Sequence, residues 1–291
     1  MVDFQPGEIE TASVILRYAE GGSGPPVVFL HGTLTGLEDG LVSLAPHLAD
    51  RFRFVAFDRP GNGGSGKAPG SASIWRQAAL LREAARALGL QRPILVGHSQ
   101  GGAVAMAWAL SWPDEVAGVV AVSPSVLPEP RLEQAVFGPR AIFGLGDALS
   151  YALMPADALL LPALWRGMFA PQSPPRAFAD VFPIDEAGER RRLRAAGEES
   201  LMLNIDLSAA LPRYATCRLP VRIVLGRRDL VANPWHGRTL SMLAPLGRLR
   251  ELADLGHMLH HFAPDAVIEE IEAIAGSGRR DLGQARGWAA A

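Results

Sequence analysis

The sequence predicts an α/β fold, in which a mostly parallel sheet carries helices on both faces. Two observations predict it. Short apolar runs rich in β-branched residues recur along the 291 residues, and segments with helical spacing lie between them. Strands that are buried on both faces read as such continuous apolar runs. A chain of this length can bury a sizeable core as one large domain with an insertion.

Seven apolar runs are predicted to be strands. In chain order they are Val14 to Tyr18, Val27 to Leu30, Phe54 to Phe57, Ile94 to Val96, Val119 to Val122, Val221 to Leu225 and Leu249 to Leu252. The clearest helix is Ile74 to Leu88, whose apolar residues recur at helical spacing and which Gly89 ends. Further helices are predicted at Ala103 to Trp112, Pro234 to Leu243 and Pro264 to Ile274.

The alternation of strands and helices breaks once, between Ser123 and Cys217, and this stretch is predicted to be an insertion. Its most apolar part, Ala141 to Phe169, is interrupted by Asp147, Pro155, Asp157 and Pro162. A membrane-spanning helix needs about twenty apolar residues without such breaks. We therefore expect short helices that cover a pocket. The charged segment Asp185 to Glu199 is expected to form a solvated helix face with no function.

Composition indicates a small, uncharged partner. Hydrophobic residues make up 48% of the chain, charged residues make up 20%, and the formal net charge is -2. No strong electrostatic field therefore attracts nucleic acid or an acidic membrane. We expect a small apolar substrate, no nucleic acid and no stable membrane insertion. An apolar insertion could also pair with a second copy, as a homodimer.

Cys217 is the only cysteine, which excludes an internal disulfide and a metal site built on thiolates. No cofactor and no metal ion are expected. Residues 1–10 have neither the positive region nor the apolar region of a signal peptide. The expected location is the cytoplasm. The segment 277–291 lacks hydrophobic periodicity and is expected to be a disordered tail.

The run Gly97-His98-Ser99-Gln100-Gly101-Gly102 is predicted to contain the nucleophile of an enzyme. It lies between a predicted buried strand and a predicted helix, the setting of a nucleophile elbow, where a serine hydroxyl projects from a sharp turn. Glycines flank the serine because its backbone has a strained positive φ and its neighbours crowd the turn. The free N–H of Gln100, at the helix start, would face the negative charge that develops on a substrate carbonyl.

An acid and a base follow two later strands. Ligands of an open α/β sheet sit beyond the carboxyl ends of its strands, and both Asp229 and His257 come shortly after predicted strands. With Ser99 they have the chain order Ser, Asp, His, which is the order of the triad on this kind of fold. The sequence therefore predicts Ser99 as nucleophile, His257 as base and Asp229 as the residue that orients the base.

With these residues, the sequence resembles the α/β-hydrolase family, among its serine members with a helical cap. The resemblance rests also on His31-Gly32 after a strand and on the Gly-rich run from Asp58 to Ser65. It implies a mostly parallel, eight-stranded-type sheet with the cap inserted after strand 6. The core would be 1–123 and 216–276, and the cap 124–215. The resemblance further implies Thr33 as the second oxyanion donor beside Gln100, with Leu34 as an alternative.

Other polar residues near the motifs have simpler roles. His98, His260 and His261 could compete with His257 but are expected to pack or to begin the next helix. His31 is expected to be a structural hydrogen-bonding residue, and Asp58 to brace the Gly-rich loop. The chain from Gly61 to Lys67 matches most of a phosphate-binding pattern, but Ala68 lacks the hydroxyl that would hold Mg²⁺. Two more histidines, His47 and His236, are expected on the surface.

The resulting hypothesis is a serine hydrolase that cleaves an ester or related acyl bond of a small to medium apolar substrate. Carbon–carbon bond hydrolases, lactonases, amidases and perhydrolases of this family use the same residues, so they remain alternatives. An acyltransferase and a non-catalytic ligand-binding protein are further alternatives. Because Ser99 stands where haloalkane dehalogenases and most epoxide hydrolases have aspartate, those two activities are not expected.

Overall fold

One eight-stranded sheet organises the chain in a computed structural model. The structure describes residues 4–142 and 144–287, and the side chains of these except residues 147 and 277–287. The strands are β1 Gln5–Glu10, β2 Ile15–Gly21, β3 Pro26–Leu30, β4 Arg53–Phe57, β5 Ile94–His98, β6 Gly118–Val122, β7 Val221–Gly226 and β8 Gly247–Leu252. Their order in the sheet is β1-β2-β4-β3-β5-β6-β7-β8. β2 pairs antiparallel with β1 and β4, and all other pairs are parallel.

All seven predicted strands are confirmed, and the eight-stranded, mostly parallel α/β sheet is the predicted one. The strand that sequence reasoning missed is β1. It contains Pro6 and Gly7, which usually indicate a turn, and none of its residues is fully buried. A proline is tolerated there because β1 is an edge strand.

The core lies in two layers because side chains of a strand alternate between the two faces of the sheet. In β3, Val28 and Leu30 face one layer, while Val27 and Phe29 face the other. All four are fully buried, and burying one such side chain contributes roughly 1.5–3 kcal/mol. Helices on both faces supply the rest of each layer, as the apolar runs predicted.

Twelve α-helices are found in the described residues. They are α1 Glu38–Ser43, α2 Ala45–Leu48, α3 Ile74–Ala87, α4 Gln100–Ser111, α5 Leu132–Phe137, α6 Gly146–Ala152, α7 Met154–Phe169, α8 Arg176–Val181, α9 Ile184–Ala187, α10 Arg190–Ala210, α11 Trp235–Leu243 and α12 Pro264–Gly287. None of the described helices is long and apolar enough to cross a bilayer. α3 follows its predicted apolar spacing, and Gly89, with φ +71°, ends it as predicted.

α12 is longer than the helix predicted at Pro264 to Ile274. The backbone of 277–287 is helical, where a disordered tail was expected, and residues 288–291 of that expected tail lie outside the described residues.

The stretch between β6 and β7 is helical, from α5 to α10. Within it α7 runs through Pro162 without a break, although the two prolines suggested shorter pieces. The division into a core and a cap at 124–215 stays a prediction.

The charged segment Asp185 to Glu199 is not only a solvated helix face, so that expectation is wrong. Arg192 and Glu199 are buried, at 4% and 2% exposure. Both lie on α10, and Glu199 forms an ion pair with the fully buried Arg59 of the core. The sequence pattern could not indicate this because charge density predicts solvation, whereas the partner lies 140 residues away.

A buried histidine cluster connects α1 to the loop that follows β8. Asp39 Oδ1 accepts hydrogen bonds from Nε2 of His260 at 2.9 Å and of His261 at 2.7 Å. His98 Nδ1 lies 3.5 Å from the other carboxylate oxygen. Burial raises the pKa of Asp39, but the contacts with the three histidines outweigh it and hold that pKa well below its usual value. Burial also lowers the pKa of His260 to about 3 against the attraction of Asp39, so the ring is neutral near pH 7.

His236 is likewise fully buried, so the expectation that it lies on the surface is wrong, whereas His47 is exposed as expected. The His236 Nδ1 atom accepts hydrogen bonds from the backbone N–H groups of Val126 and Leu127, both at 3.0 Å. Burial lowers the pKa of His236 as well. This side chain of α11 therefore anchors the chain just after β6.

We expect the protein to lose stability as the pH falls below the ordinary histidine pKa of 6.5. Between that value and about 3, unfolded His260 binds a proton that the folded ring does not, so acid favours the unfolded state. By itself His260 should lower the free energy of unfolding by about 2 kcal/mol at about pH 5, relative to neutral pH. Urea unfolding at both pH values measures this difference.

His260→Gln keeps an N–H donor for Asp39 but removes the titrating ring, so its loss of stability in acid should be smaller. His47→Gln is the matched control, because His47 is exposed, and it should unfold like the parent protein. An unchanged pH dependence in His260→Gln would contradict the expectation.

Candidate active site

The turn between β5 and α4 presents Ser99 at the edge of the sheet. β5 ends at His98 and α4 begins at Gln100, so one residue makes the whole reversal. Ser99 adopts φ +53° and ψ −120°, which L residues rarely adopt. Strain of this kind persists only where the surroundings hold it, and it is typical of functional sites. A strained turn of this kind is expected at a nucleophile elbow, and the assignment of Ser99 as nucleophile stays a prediction.

Two glycines permit this turn because backbone approaches them closely. A Cβ on Gly97 would lie 2.3 Å from the carbonyl oxygen of Gly101, and a Cβ on Gly101 would lie 2.1 Å from that of Leu30. No side chain larger than hydrogen fits at either position. The start of α4 can therefore pack directly against the end of β3.

His257 and Asp229 come together at the neighbouring strand ends, as predicted. Asp229 follows β7 and His257 follows β8, and the His257 Nδ1–H donates to Asp229 Oδ2 at 2.8 Å. The other carboxylate oxygen accepts the N–H groups of Val231 and Ala232, at 2.8 and 2.9 Å, which holds the carboxylate in place. Since Nδ1 is engaged, Nε2 is the ring nitrogen left to act on another group. His257 and Ser99 both line one cavity.

Thr33 and Gln100, the predicted oxyanion donors, lie side by side. Thr33 follows β3, and its hydroxyl donates to the side-chain oxygen of Gln100 at 2.7 Å. The Gln100 N–H has no acceptor within its helix because it is at the first position of α4. Within the described part of the chain, no acceptor is found for the backbone N–H of Thr33 either. Leu34, the alternative donor, has φ +64° and also lines the cavity.

The other polar residues near the motifs have structural partners. Asp58 accepts the backbone N–H of Leu37 at 2.9 Å and that of Gly64 at 2.7 Å, so it braces the Gly-rich loop as expected. His31 accepts the N–H of Arg59 at 2.9 Å. Burial, followed by the charge of Arg59, lowers the pKa of His31 well below its ordinary value. His98 packs on His257 with ring centroids 4.7 Å apart, and burial lowers its pKa.

The loop with the phosphate-binding pattern is not arranged for phosphate. Gly61 donates its N–H to the carbonyl of Gly66 at 2.8 Å, so the loop closes on itself. The ammonium of Lys67 pairs with Glu198 of α10. The next helix begins only at Ile74, so no helix N-terminus adjoins the loop.

A cavity of about 380 Å³ opens over Ser99 and His257. Part of its wall comes from α7, as expected for Ala141 to Phe169, through Leu164 and Met168. α5 and α10 contribute Val136, Phe137 and Leu203, which sequence reasoning did not assign to a pocket. Most of the lining is apolar, and the volume suits a small or medium ligand.

One side of the cavity is charged, and sequence reasoning missed it. Arg131 lines the wall between Glu129 and Glu133, its side chain is 5% exposed, and it donates to Ser125 Oγ at 3.1 Å. Burial lowers the pKa of Arg131, while Glu133 and Glu129 oppose the shift. No motif indicates these residues, because a short charged run between two apolar ones usually reads as a surface loop.

Comparisons with known proteins identify the family of the chain. A profile of the Alpha/beta hydrolase family matches residues 27–270. The chain is 26% identical to 2-(acetamidomethylene)succinate hydrolase of Mesorhizobium japonicum, over 90% of this chain and 92% of that protein. It is 36% identical to the dihydrolipoyllysine-residue acetyltransferase component of the acetoin cleaving system of Cupriavidus necator over 110 residues, which are 38% of this chain and 29% of that protein.

Among solved structures, an esterase from Exiguobacterium antarcticum superposes with a TM-score of 0.76 at 18% identity, covering 93% of this chain and all of that one. At that identity the likeness shows the fold. The profile covers most of the chain, from β3 into α12, and therefore includes the ends of β3, β5, β7 and β8. The chain belongs to the alpha/beta hydrolase family.

Proposed function

We propose that the protein is a serine hydrolase that cleaves an ester or related acyl bond through an acyl-enzyme. The observation that carries the proposal is one cavity lined by both Ser99, on its strained turn, and His257, whose Nδ1 is bonded to Asp229. A nucleophile, a base and a group that orients the base are the parts that such a reaction requires. The relative from Mesorhizobium japonicum is named as a hydrolase, which supports hydrolysis.

In the proposed mechanism, His257 Nε2 takes the proton of Ser99 Oγ while that oxygen attacks the substrate carbonyl. Asp229 fixes the tautomer of the ring and stabilises its positive charge. The backbone N–H groups of Thr33 and Gln100 bind the oxyanion of the tetrahedral intermediate. The protonated His257 then gives its proton to the leaving alcohol, and the acyl group stays on Ser99. Water attacks the acyl-enzyme with His257 as base, which releases the acid and restores Ser99.

The substrate is proposed to be small to medium and largely apolar. The walls formed by α5, α7 and α10 support this, since they are mostly apolar side chains around a cavity of about 380 Å³. The segment 124–215, which contains these helices, is proposed to act as the cap. Aspartate at the elbow would instead favour the dehalogenase or epoxide reactions of the family, and this chain has Ser99 there.

A fluorophosphonate probe tests the nucleophile. The probe should modify Ser99, because the activated serine oxygen attacks phosphorus and displaces fluoride while His257 takes the serine proton. Ser99→Ala should abolish labelling and ester hydrolysis, while Ser208→Ala, at an exposed serine of α10 outside the cavity lining, is the control and should keep both. Peptide mapping of the adduct identifies the residue. A folded protein without an adduct on Ser99 would contradict the proposal.

Asp229→Asn should lower kcat by roughly 10⁴-fold, because the amide stabilises the wrong tautomer of His257 while it keeps the geometry. Asp254→Asn, an exposed aspartate in the same region, is its control and should leave kcat unchanged. Steady-state hydrolysis of a p-nitrophenyl ester measures both. An Asp229→Asn variant as active as the control would remove Asp229 from the mechanism.

The cavity predicts a preference for short and medium acyl chains. Rates on p-nitrophenyl butanoate to octanoate should exceed the rate on the hexadecanoate, since a long chain does not fit inside the walls. Leu164→Trp should shift the preference to shorter chains, because Leu164 lines the cavity. Leu159→Trp on the same helix is the control, since Leu159 is 79% exposed. Equal profiles for both variants would contradict this role of α7.

The reaction class needs a separate test, because the same residues could serve lactones, carbon–carbon bonds, peracid formation or acyl transfer. In water with a competing alcohol, the proposal expects the free acid as the main product. A preferred alcohol acceptor in the product analysis would indicate a transferase instead. If the protein turns over no ester or lactone of a panel while Ser99 is still labelled, that result would favour another reaction, such as hydrolysis of a carbon–carbon bond.

A further inference from the structure

Glu199 is the most heavily hydrogen-bonded buried acid described near the site, and the proposed mechanism does not use it. It lies on α10, within the stretch between β6 and β7, and is 2% exposed. Its carboxylate accepts five hydrogen bonds, from Arg59 Nη1 (2.9 Å), Arg59 Nη2 (3.1 Å), Asn62 Nδ2 (2.8 Å), Gln77 Nε2 (2.9 Å) and Gln100 Nε2 (3.0 Å). All the donors belong to the core outside α10.

Arg59 connects this carboxylate to the chain just before Thr33. Its guanidinium holds Glu199 with both terminal nitrogens, which is the strong bidentate geometry of a charge-assisted pair. The same group donates Nε–H to the carbonyl of His31 at 2.9 Å and Nη2–H to that of Gly32 at 3.2 Å. The backbone that precedes the N–H of Thr33 is therefore held by Arg59, and Arg59 is held by Glu199.

Gln100 connects the same carboxylate to the elbow. A carboxylate only accepts, so the atom that faces Glu199 must be the amide nitrogen of Gln100, and its oxygen must face the Thr33 hydroxyl. This leaves one arrangement of the amide. The side chain of Gln100 thus connects Glu199 to Thr33, because its amide nitrogen donates to the first and its oxygen accepts from the second.

We propose that Glu199 is a positioning residue for the oxyanion donors, acting from α10 on Thr33 through Arg59 and on both Thr33 and Gln100 through the Gln100 amide. This inference rests on the proposed function. Glu199 lines none of the cavity wall and does not touch the reacting atoms. Its buried charge is balanced by Arg59, so it fixes geometry without placing a net negative charge behind the oxyanion. Preorganised donors are effective because they need no rearrangement in the transition state.

Two variants break this network at different points. Gln100→Met removes the amide but keeps the backbone N–H and the length of the side chain. Glu199→Gln keeps the shape but weakens the hold on Arg59 and Gln100. Both should lower kcat by about 10- to 100-fold with KM changed by less than about threefold, because small misplacement of a donor affects the transition state more than the ground state.

Glu198→Gln is the matched control. Glu198 is the neighbour of Glu199 in sequence but pairs with Lys67 and Arg194, away from the elbow. It should keep the parent kcat and KM. If Glu199→Gln does not fold, the kcat of Gln100→Met tests the inference by itself, since that variant leaves the Arg59–Glu199 pair in place.

A binding measurement separates positioning from mere structural support. An alkyl boronic acid forms a tetrahedral, negatively charged adduct with the serine oxygen, whose proton His257 takes, and one boron-bound oxygen then lies between the two N–H donors. Its affinity should therefore fall by the same factor as kcat. The Kd of an unreacted ester on the Ser99→Ala background should not change. The double variant should fall no further than the worse single variant, because both changes break one network.

The outcomes distinguish the two proposals. No labelling of Ser99 in the parent protein would overturn the proposed function and this inference with it. An active parent whose Gln100→Met variant keeps kcat and boronate affinity would overturn the inference alone. Equal losses in boronate affinity and in ester binding would also overturn it, because they would indicate general damage to the site.

Discussion

The close packing of the start of α4 against the ends of β3 and β5 is the constraint on which the site depends. Gly97 and Gly101 allow these backbone segments to pack in direct contact, because a Cβ at either position would lie within about 2.3 Å of a carbonyl oxygen. That contact holds Ser99 at positive φ and places the first N–H of α4, which has no acceptor within the helix, directly after it. It also brings the residues after β3 beside the elbow, so that Thr33 can hydrogen-bond to Gln100.

Two buried polar networks flank this contact and differ in what they join. The histidine cluster around Asp39 links α1 to the loop of His257, and His98 lies between the two. The Arg59–Glu199 network links α10 to the Gly-rich loop and to the elbow. Buried ion pairs contribute little net stability, since desolvation opposes the attraction, but breaking one partner is strongly unfavourable. Each network therefore specifies one arrangement of the loops around Ser99.

Local sequence patterns were sufficient for the elements that lie inside the sheet. The runs that form β3 to β7 were recognisable because central parallel strands are buried on both faces and are therefore largely apolar. β1 was missed because it is a partly exposed edge strand that also contains Pro6 and Gly7. Ser99, Asp229 and His257 were recognisable because each follows a strand end at the same edge. Glu199, Arg131 and His236 were not, since burial of a polar side chain depends on partners distant in sequence, which no local pattern records.

By itself, therefore, the sequence determined the alternating architecture, the elbow and the residues expected at the strand ends, because these follow from hydrophobic periodicity and from glycines at a tight turn. The tertiary structure decided which charged residues are buried, how α5, α7 and α10 form the cavity wall, and that α10 reaches the elbow through Glu199. The physical reason is that a hydrogen bond or an ion pair stabilises a buried charge only when both partners meet in the folded chain. That meeting is a property of the packing.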